Sequence, residues 1–310
     1  MERSAFNDNY PLAQFGLTII VAFCVAIILT IASMLIASPI FGMSIKDLAS
    51  PEILYQPQNI NAFKFLQLFQ SIALFVVPSF ILGKIFSGNS IEYLKLDKAP
   101  DKTRWALASI IILTAIPVIN WIAELNSMIK LPDFMSGIQQ YIDITSKAYQ
   151  TAMDAFMNIS NLNGLAINLL VVALVPAIGE ELLFRGILQR IFINWTRNIH
   201  WGIIIAAFIF SAFHFEFYGF FSRWLLGIMF GYMLVWTGSL WVPILAHFIN
   251  NALAVIIYYL IHVKVLSEKM ADVGANRESL YYTIICGIVS GYCMVVLYQK
   301  SRKVEESTKY

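Results

Sequence analysis

The residues most able to do chemistry in this chain sit where charge is least at home. One long apolar stretch reads Val175-Pro176-Ala177-Ile178-Gly179-Glu180-Glu181-Leu182-Leu183-Phe184-Arg185. It sets three ionisable groups among aliphatic neighbours, and each such group costs about 2.5–3.5 kcal/mol at mid-bilayer. Two further apolar stretches carry Phe210-Ser211-Ala212-Phe213-His214 and His247-Phe248-Ile249-Asn250-Asn251. Hydrolysis of a peptide bond needs a base that takes a proton from water and donors that hold the oxyanion formed on the carbonyl. A glutamate, two histidines and an asparagine supply both. Burial makes a carboxylate a stronger base, which suits the first role. The other chemistry open to the same residues is a metal site with Glu180, His214 and His247 as ligands and a bound ion polarising the water. No H-E-x-x-H occurs in the sequence, so the zincin signature does not choose between them.

Spacing sorts these groups into pairs. Glu181 and Arg185 are four apart, which lets carboxylate meet guanidinium on one helix face, and that pair can be purely structural. Glu180 is turned by about 100° from Glu181 and looks toward a different neighbour. Pro176, four residues before Glu180, lacks an amide hydrogen and predicts a kink there, making room for water. Phe210 shares a face with His214, and His247 shares one with Asn251. A histidine and an amide at that depth need polar partners inside the bundle, for which the glutamates and His214 are the candidates. His200 and His262 fall at predicted helix ends and read as ordinary interface residues.

The elements that must position these groups are membrane helices. Of the 310 residues, 59% are apolar and 13% charged, against about 45–50% and about 25% in soluble proteins. About 20 apolar residues span a bilayer. Eight stretches qualify, at about 15–37, 63–86, 105–125, 163–193, 200–217, 221–237, 240–262 and 280–298, of which the fifth and sixth are short. Trp105, Trp201, Trp236 and Trp241 fall near their ends, where indoles favour the headgroup zone. The first run, from about Phe15 to Leu35, is too long for a signal-peptide core and has no basic cluster before it, so it reads as an uncleaved helix. Between the third and fourth spans, Phe134, Ile138, Tyr141, Ile142, Tyr149, Ala152 and Phe156 recur at helical spacing and predict an amphipathic helix. Its charges, Asp133, Asp143, Lys147 and Asp154, do not favour anionic lipid, so it either lies flat at the interface or covers a cavity. Gly227/Gly231 and Gly287/Gly291 form G-x-x-x-G pairs that let backbones approach. Cys24, Cys286 and Cys293 lack metal-ligand spacing and read as small helix residues.

The fold expected is therefore all-α, a polytopic membrane protein of about eight transmembrane helices with one amphipathic connecting helix. Residues 1–126 form N-terminal membrane helices without diagnostic motifs, 127–162 the amphipathic connection, 163–262 the core that carries the chemistry, and 263–310 the last span and tail. Basic residues keep to the cytoplasmic side. Lys95, Lys98, Lys102 and Arg104, then Arg197, then Lys300, Arg302 and Lys303 all fall on one side of an even number of spans, which puts both termini in the cytoplasm. Lys264, Lys269 and Arg277 sit opposite. The net charge of +2 is small and dispersed, so no nucleic acid partner is expected.

Three motifs, Glu180-Glu181-x-x-x-Arg185, Phe210-x-x-x-His214 and His247-x-x-x-Asn251, stand in order on separate predicted helices. Together they resemble the CAAX-processing and bacteriocin-processing (CPBP) intramembrane proteases, a family that includes the Ras-converting endopeptidases and the Abi proteins. The resemblance covers about residues 163–260, and the turn Thr237-Gly238-Ser239-Leu240-Trp241 shares in it. It implies an endopeptidase of a bacterial inner membrane that cleaves a membrane-associated protein or peptide within the lipid bilayer. By that resemblance Glu180 with His214 activates water, His247 and Asn251 hold the oxyanion, and Glu181, Arg185 and Phe210 support the site. Cofactor-binding residues are not indicated, apart from the alternative of a divalent metal such as zinc on Glu180, His214 and His247. Two other readings use the same residues: a non-catalytic scaffold or bacteriocin-immunity factor that kept the fold, and a proton-coupled transporter. The chain shows no internal repeat of the kind many transporters carry.

Overall fold

The computed structural model describes residues 10–271, 273–275 and 279–307, the last five of these as backbone alone. Every regular element among them is helical, as hydrocarbon requires of a chain that must satisfy its own backbone groups. Among the described residues seven helices are long and apolar enough to cross a bilayer: α1 (Pro11–Phe41), α2 (Pro57–Ser87), α3 (Lys102–Ser127), α5 (Leu162–Thr196), α7 (Phe220–Thr237), α8 (Trp241–His262) and α9 (Leu280–Arg302). Between α3 and α5 lies the amphipathic helix α4 (Ser136–Met157). The expected span over 200–217 is a shorter apolar helix, α6 (Ile199–Ala212), of 14 residues. At 1.5 Å per residue it reaches about 21 Å, less than the hydrocarbon thickness. It stops there because Glu216 draws the chain into a turn, accepting the backbone N–H groups of Tyr218 (2.8 Å) and Gly219 (2.7 Å) and pairing with Arg223 (2.8 Å).

Helix α5 is the hub, packed against α2, α6, α7 and α8, while α3 packs on α7, α8 and α9. The kink expected at Pro176 takes the form of wide turns in an unbroken helix. Leu169–Leu174 and Glu181–Leu188 are π-helical and flank an α-helical segment, Val175–Glu180. Helix α2 repeats the device, with π-helical Ile72–Val76 just before Pro78. These two irregular stretches meet closely: a Cβ on Gly179 would stand 2.9 Å from that of Phe75. Glycine at position 179 therefore brings α2 against the segment that carries Glu180.

The first G-x-x-x-G pair packs as expected, since a Cβ on Gly227 would lie 2.8 Å from that of Ala207, and one on Gly231 would lie 2.7 Å from Ile203. The second does so only in half. Gly287 comes against Val118, whereas Gly291 faces open space. Along α1, Ile19, Ile20, Phe23, Ile28, Ile31 and Leu35 are all exposed, a surface suited to lipid and to no aqueous solvent.

The basic loops gather at one end. Lys300 pairs with Asp101 (3.2 Å), Trp241 donates its indole N–H to the Leu96 carbonyl (3.0 Å), and Ser239 donates to the carbonyl of Lys98. Pro11 and Arg197 line one cavity. Lys264 and Lys269 follow the opposite end of α8. Arg277 lies outside the described residues, as do the side chain of Lys303 and both chain termini.

The close approach of α6 and α7 sets a test of packing. Gly227→Val should lower stability by about 1–3 kcal/mol through overpacking, read as an earlier thermal melt of the purified protein in detergent, whereas Gly291→Ala should leave the melt in place.

Candidate active site

Helix α5 puts Glu181 and Arg185 one turn apart, and at Arg185 the cost of charge in hydrocarbon is met by local partners. Its Nη1 donates to Glu181 Oε1 at 2.8 Å, and both side chains are essentially inaccessible. The guanidinium also lies on the faces of Phe210 (4.2 Å to the ring centroid) and Phe230 (5.4 Å), where the ring quadrupoles favour a cation. Phe210 links the motifs, its ring edge-on to Phe184 (5.2 Å), His214 (5.1 Å) and His247 (5.9 Å).

Helix α8 brings His247 to the same carboxylate. Its Nδ1 lies 2.9 Å from Glu181 Oε1, and its ring stacks on Phe230 with centroids 5.1 Å apart. A carboxylate oxygen can only accept, so Nδ1 carries the proton and Nε2 is the ring atom left facing Glu180. Spacing pairs Glu181 with Arg185, and depth offers both glutamates to His247; the structure makes Glu181 the shared partner of Arg185 and His247. That second contact has no trace in linear spacing, because it joins residues 66 positions apart.

Glu180 is differently placed. Its Oε2 stands 3.8 Å from His247 Nε2, too far for a hydrogen bond, and that oxygen is buried without a hydrogen-bond partner. The separation suits a bridging water. Glu180 and His214 line one cavity of about 210 Å³, together with Gln67, Gln70 and Ser71 from α2. His214 Nδ1 lies 2.9 Å from the carbonyl of Phe210. Because a carbonyl only accepts, Nδ1 is again the protonated nitrogen, and Nε2 keeps a lone pair for the cavity.

Asn251 departs from the expected pairing. Instead of joining the glutamates or His214, its side-chain N–H donates to the carbonyl of Val172 (3.3 Å), and its oxygen accepts from Asn250 (3.1 Å). Val172 lies in the π-helical stretch just before Pro176, which brings no N–H to the turn it enters. One amide hydrogen of Asn251 remains for other use.

Among the described residues no group of three or more His, Cys, Asp or Glu side chains is arranged to hold a metal ion. His247 and His214 each hold Nδ1 in a hydrogen bond and leave Nε2 free of it.

Several neighbours were invisible to motif reading. Gln67 and Gln70 sit in a span that carries no motif, and their only signal is polarity inside an apolar run. Glu216 and Arg223 shape the turn that follows His214. Helix α4 is tied to that turn: Tyr218 donates to Asp143 (2.8 Å), Gln139 donates to the Tyr218 oxygen (3.0 Å), and Ser146 donates to Glu216 (3.4 Å). The bond to Asp143 raises the Tyr218 phenol above its ordinary value. Of the two placements open to the amphipathic helix, this contact sets it against the chain next to the cavity.

Residues 162–253 match the family described as Type II CAAX prenyl endopeptidase Rce1-like. A protein of Bacillus subtilis (strain 168) described as "Uncharacterized protein YpbD" is 40% identical over 92 residues, 27% of this chain and 42% of that relative's length. The chain thus spans less than half of the curated relative it matches. No solved structure matches. The matched stretch holds all three motifs, so the resemblance read from Glu180-Glu181, His214 and His247 is shown there: residues 162–253 are similar to the Rce1-like family, consistent with the CPBP intramembrane proteases.

Proposed function

We propose that this chain is an intramembrane endopeptidase in which Glu180 activates water against a peptide carbonyl. The observation that carries the proposal is the Glu180 carboxylate oxygen, buried without a partner, 3.8 Å from His247 and in one cavity with His214. Glu181 and Arg185 are bonded to each other through Oε1 and Nη1, with Glu181 Oε2 and Arg185 Nη2 left over. Glu180 is held near two imidazoles and bonded to neither, the arrangement expected of a group that must take up and release a proton.

In the proposed reaction, water held between Glu180 and the lone pair of His214 Nε2 gives its proton to Glu180 as its oxygen attacks the scissile carbonyl. The resulting oxyanion is stabilised by His247 and by the second amide hydrogen of Asn251. Glu180 then passes the proton to the leaving nitrogen, the C–N bond breaks, and a carboxylic acid and an amine result. Glu181 fixes the His247 ring through Nδ1 and neutralises Arg185, while Phe210 and Phe230 hold both in place. The substrate is a membrane-associated protein or peptide. By analogy with the matched family, a prenylated CAAX peptide is the first to try. The basic loops gathered at one end belong in the cytoplasm, with both termini there.

Purified Glu180→Gln should lose at least about 10²-fold in cleavage of an internally quenched prenylated CAAX peptide, with an unchanged thermal melt; activity within a few-fold of the parent would exclude Glu180 as the base. Asn251→Ala should cost a comparable factor, about 10²–10³ if its amide holds the oxyanion.

Dialysis against a strong chelator should leave the cleavage rate unchanged. Loss of activity, restored by zinc, would replace this mechanism with a metal-dependent one.

A reporter that matures only in the cytoplasm, fused after Tyr310, should be active. Activity of an export-dependent reporter at the same point would reverse the orientation.

A further inference from the structure

The catalytic cavity has a wall that no motif describes. Gln67, Gln70, Ser71 and Leu74 line it from α2, and their spacing of three, four and seven residues is that of one helix face. Among the described residues neither glutamine amide makes a hydrogen bond, although both lie well inside a membrane-spanning helix. Lipid offers an amide nothing. Two amides without a hydrogen bond at that depth, Gln67 half-buried and Gln70 exposed, in one cavity with a carboxylate whose Oε2 is buried and unpartnered, point to a ligand with hydrogen-bonding groups of its own.

The chemistry of the wall narrows that ligand. A primary amide offers a carbonyl and two N–H donors, which complement the C=O and N–H of a peptide group. Side chains three apart on a helix are about 5–6 Å from each other, and peptide groups facing one way along an extended chain repeat at about 6.6–6.8 Å. Two neighbouring side amides can thus each serve one peptide group of an extended segment. A helical substrate cannot use them, because its backbone groups are already paired internally. Phe75, Phe184 and Phe213 complete the cavity and suit an apolar side chain beside the bond to be cut.

We propose that Gln67 and Gln70 are substrate-positioning residues, whose side-chain amides hold the backbone of an extended, unwound peptide across the cavity so that its scissile carbonyl faces Glu180. The proposal rests on the protease reading of that site. It gives the N-terminal membrane helices a role, that of the non-catalytic half of the peptide cleft. It also supplies hydrogen bonds at membrane depth to a backbone that has lost its own.

The test uses the full-length protein and the internally quenched prenylated CAAX peptide, together with the same peptide N-methylated at the amide two residues before the scissile bond. Gln67→Leu and Gln70→Leu suit a lipid environment, and Gln70→Asn is a conservative control for folding. Each Leu variant should raise KM about tenfold, the loss of about one hydrogen bond, with kcat changed far less. N-methylation should cost the parent a similar factor and cost at least one Leu variant almost nothing, a coupling that a merely structural glutamine would not produce. Binding of both peptides to Glu180→Gln, with and without the α2 substitutions, is read in parallel by fluorescence anisotropy. Cleavage with equal KM in parent and Leu variants, and an equal penalty for methylation, would overturn the subsite and leave the protease standing. Glutamine-dependent binding without any cleavage would uphold the subsite and overturn the protease. Neither binding nor cleavage would overturn both.

Discussion

The structure of this protein turns on one carboxylate. Glu181 Oε1 accepts from Arg185 and from His247 at once, and by doing so it joins helices α5 and α8 where water is scarce. A guanidinium in hydrocarbon needs a counter-charge, and a histidine at that depth needs a fixed tautomer. Glu181 meets both demands with one oxygen. Removing one partner of a buried pair costs about 3–5 kcal/mol, so none of the three residues is free to vary alone. The phenylalanines on either side of the guanidinium add a second, non-directional hold.

With that contact made, its neighbour is released. Glu180 sits one residue earlier on the same helix yet shares none of these bonds, and its orientation follows from the wide turns around it. Pro176 removes a backbone donor, the π-helical stretches on either side absorb the clash, and Gly179 lets α2 come within van der Waals reach. Asn251 from α8 donates to the Val172 carbonyl within the first of these stretches. Irregular backbone in a membrane is tolerated only where protein or a polar cavity covers it, and here both do. The same defect that makes space beside Glu180 also anchors the helix that carries His247.

The cavity is built from both halves of the chain. Residues 162–253 bring the ionisable groups, and α2 brings Gln67, Gln70 and Ser71. Helix α4 then closes on the turn after His214 through Tyr218, Asp143 and Gln139. These contacts depend on Glu216, which ends α6 early by capturing the N–H groups of Tyr218 and Gly219. The shortened α6 leaves His214 beyond its last turn, at the edge of the cavity.

Composition and apolar periodicity were enough to establish a helical membrane protein, its spans to within a few residues and the amphipathic connection, because a bilayer leaves the backbone few choices and each span is written as a contiguous run. Spacing of four was likewise enough for the Glu181–Arg185 pair and the Gly227–Gly231 approach, since a helix converts local spacing directly into a face. The folded chain alone decided the rest. Glu181 rather than Glu180 bonds His247, Asn251 turns to the Val172 carbonyl, Gly291 meets nothing, α6 stops short of a full crossing, and two glutamines from a span without motifs line the cavity of Glu180. Each of these depends on which helix lies beside which and at what rotation, and in a bundle that is set by side-chain packing between distant segments, for which no periodicity within one segment carries a signal.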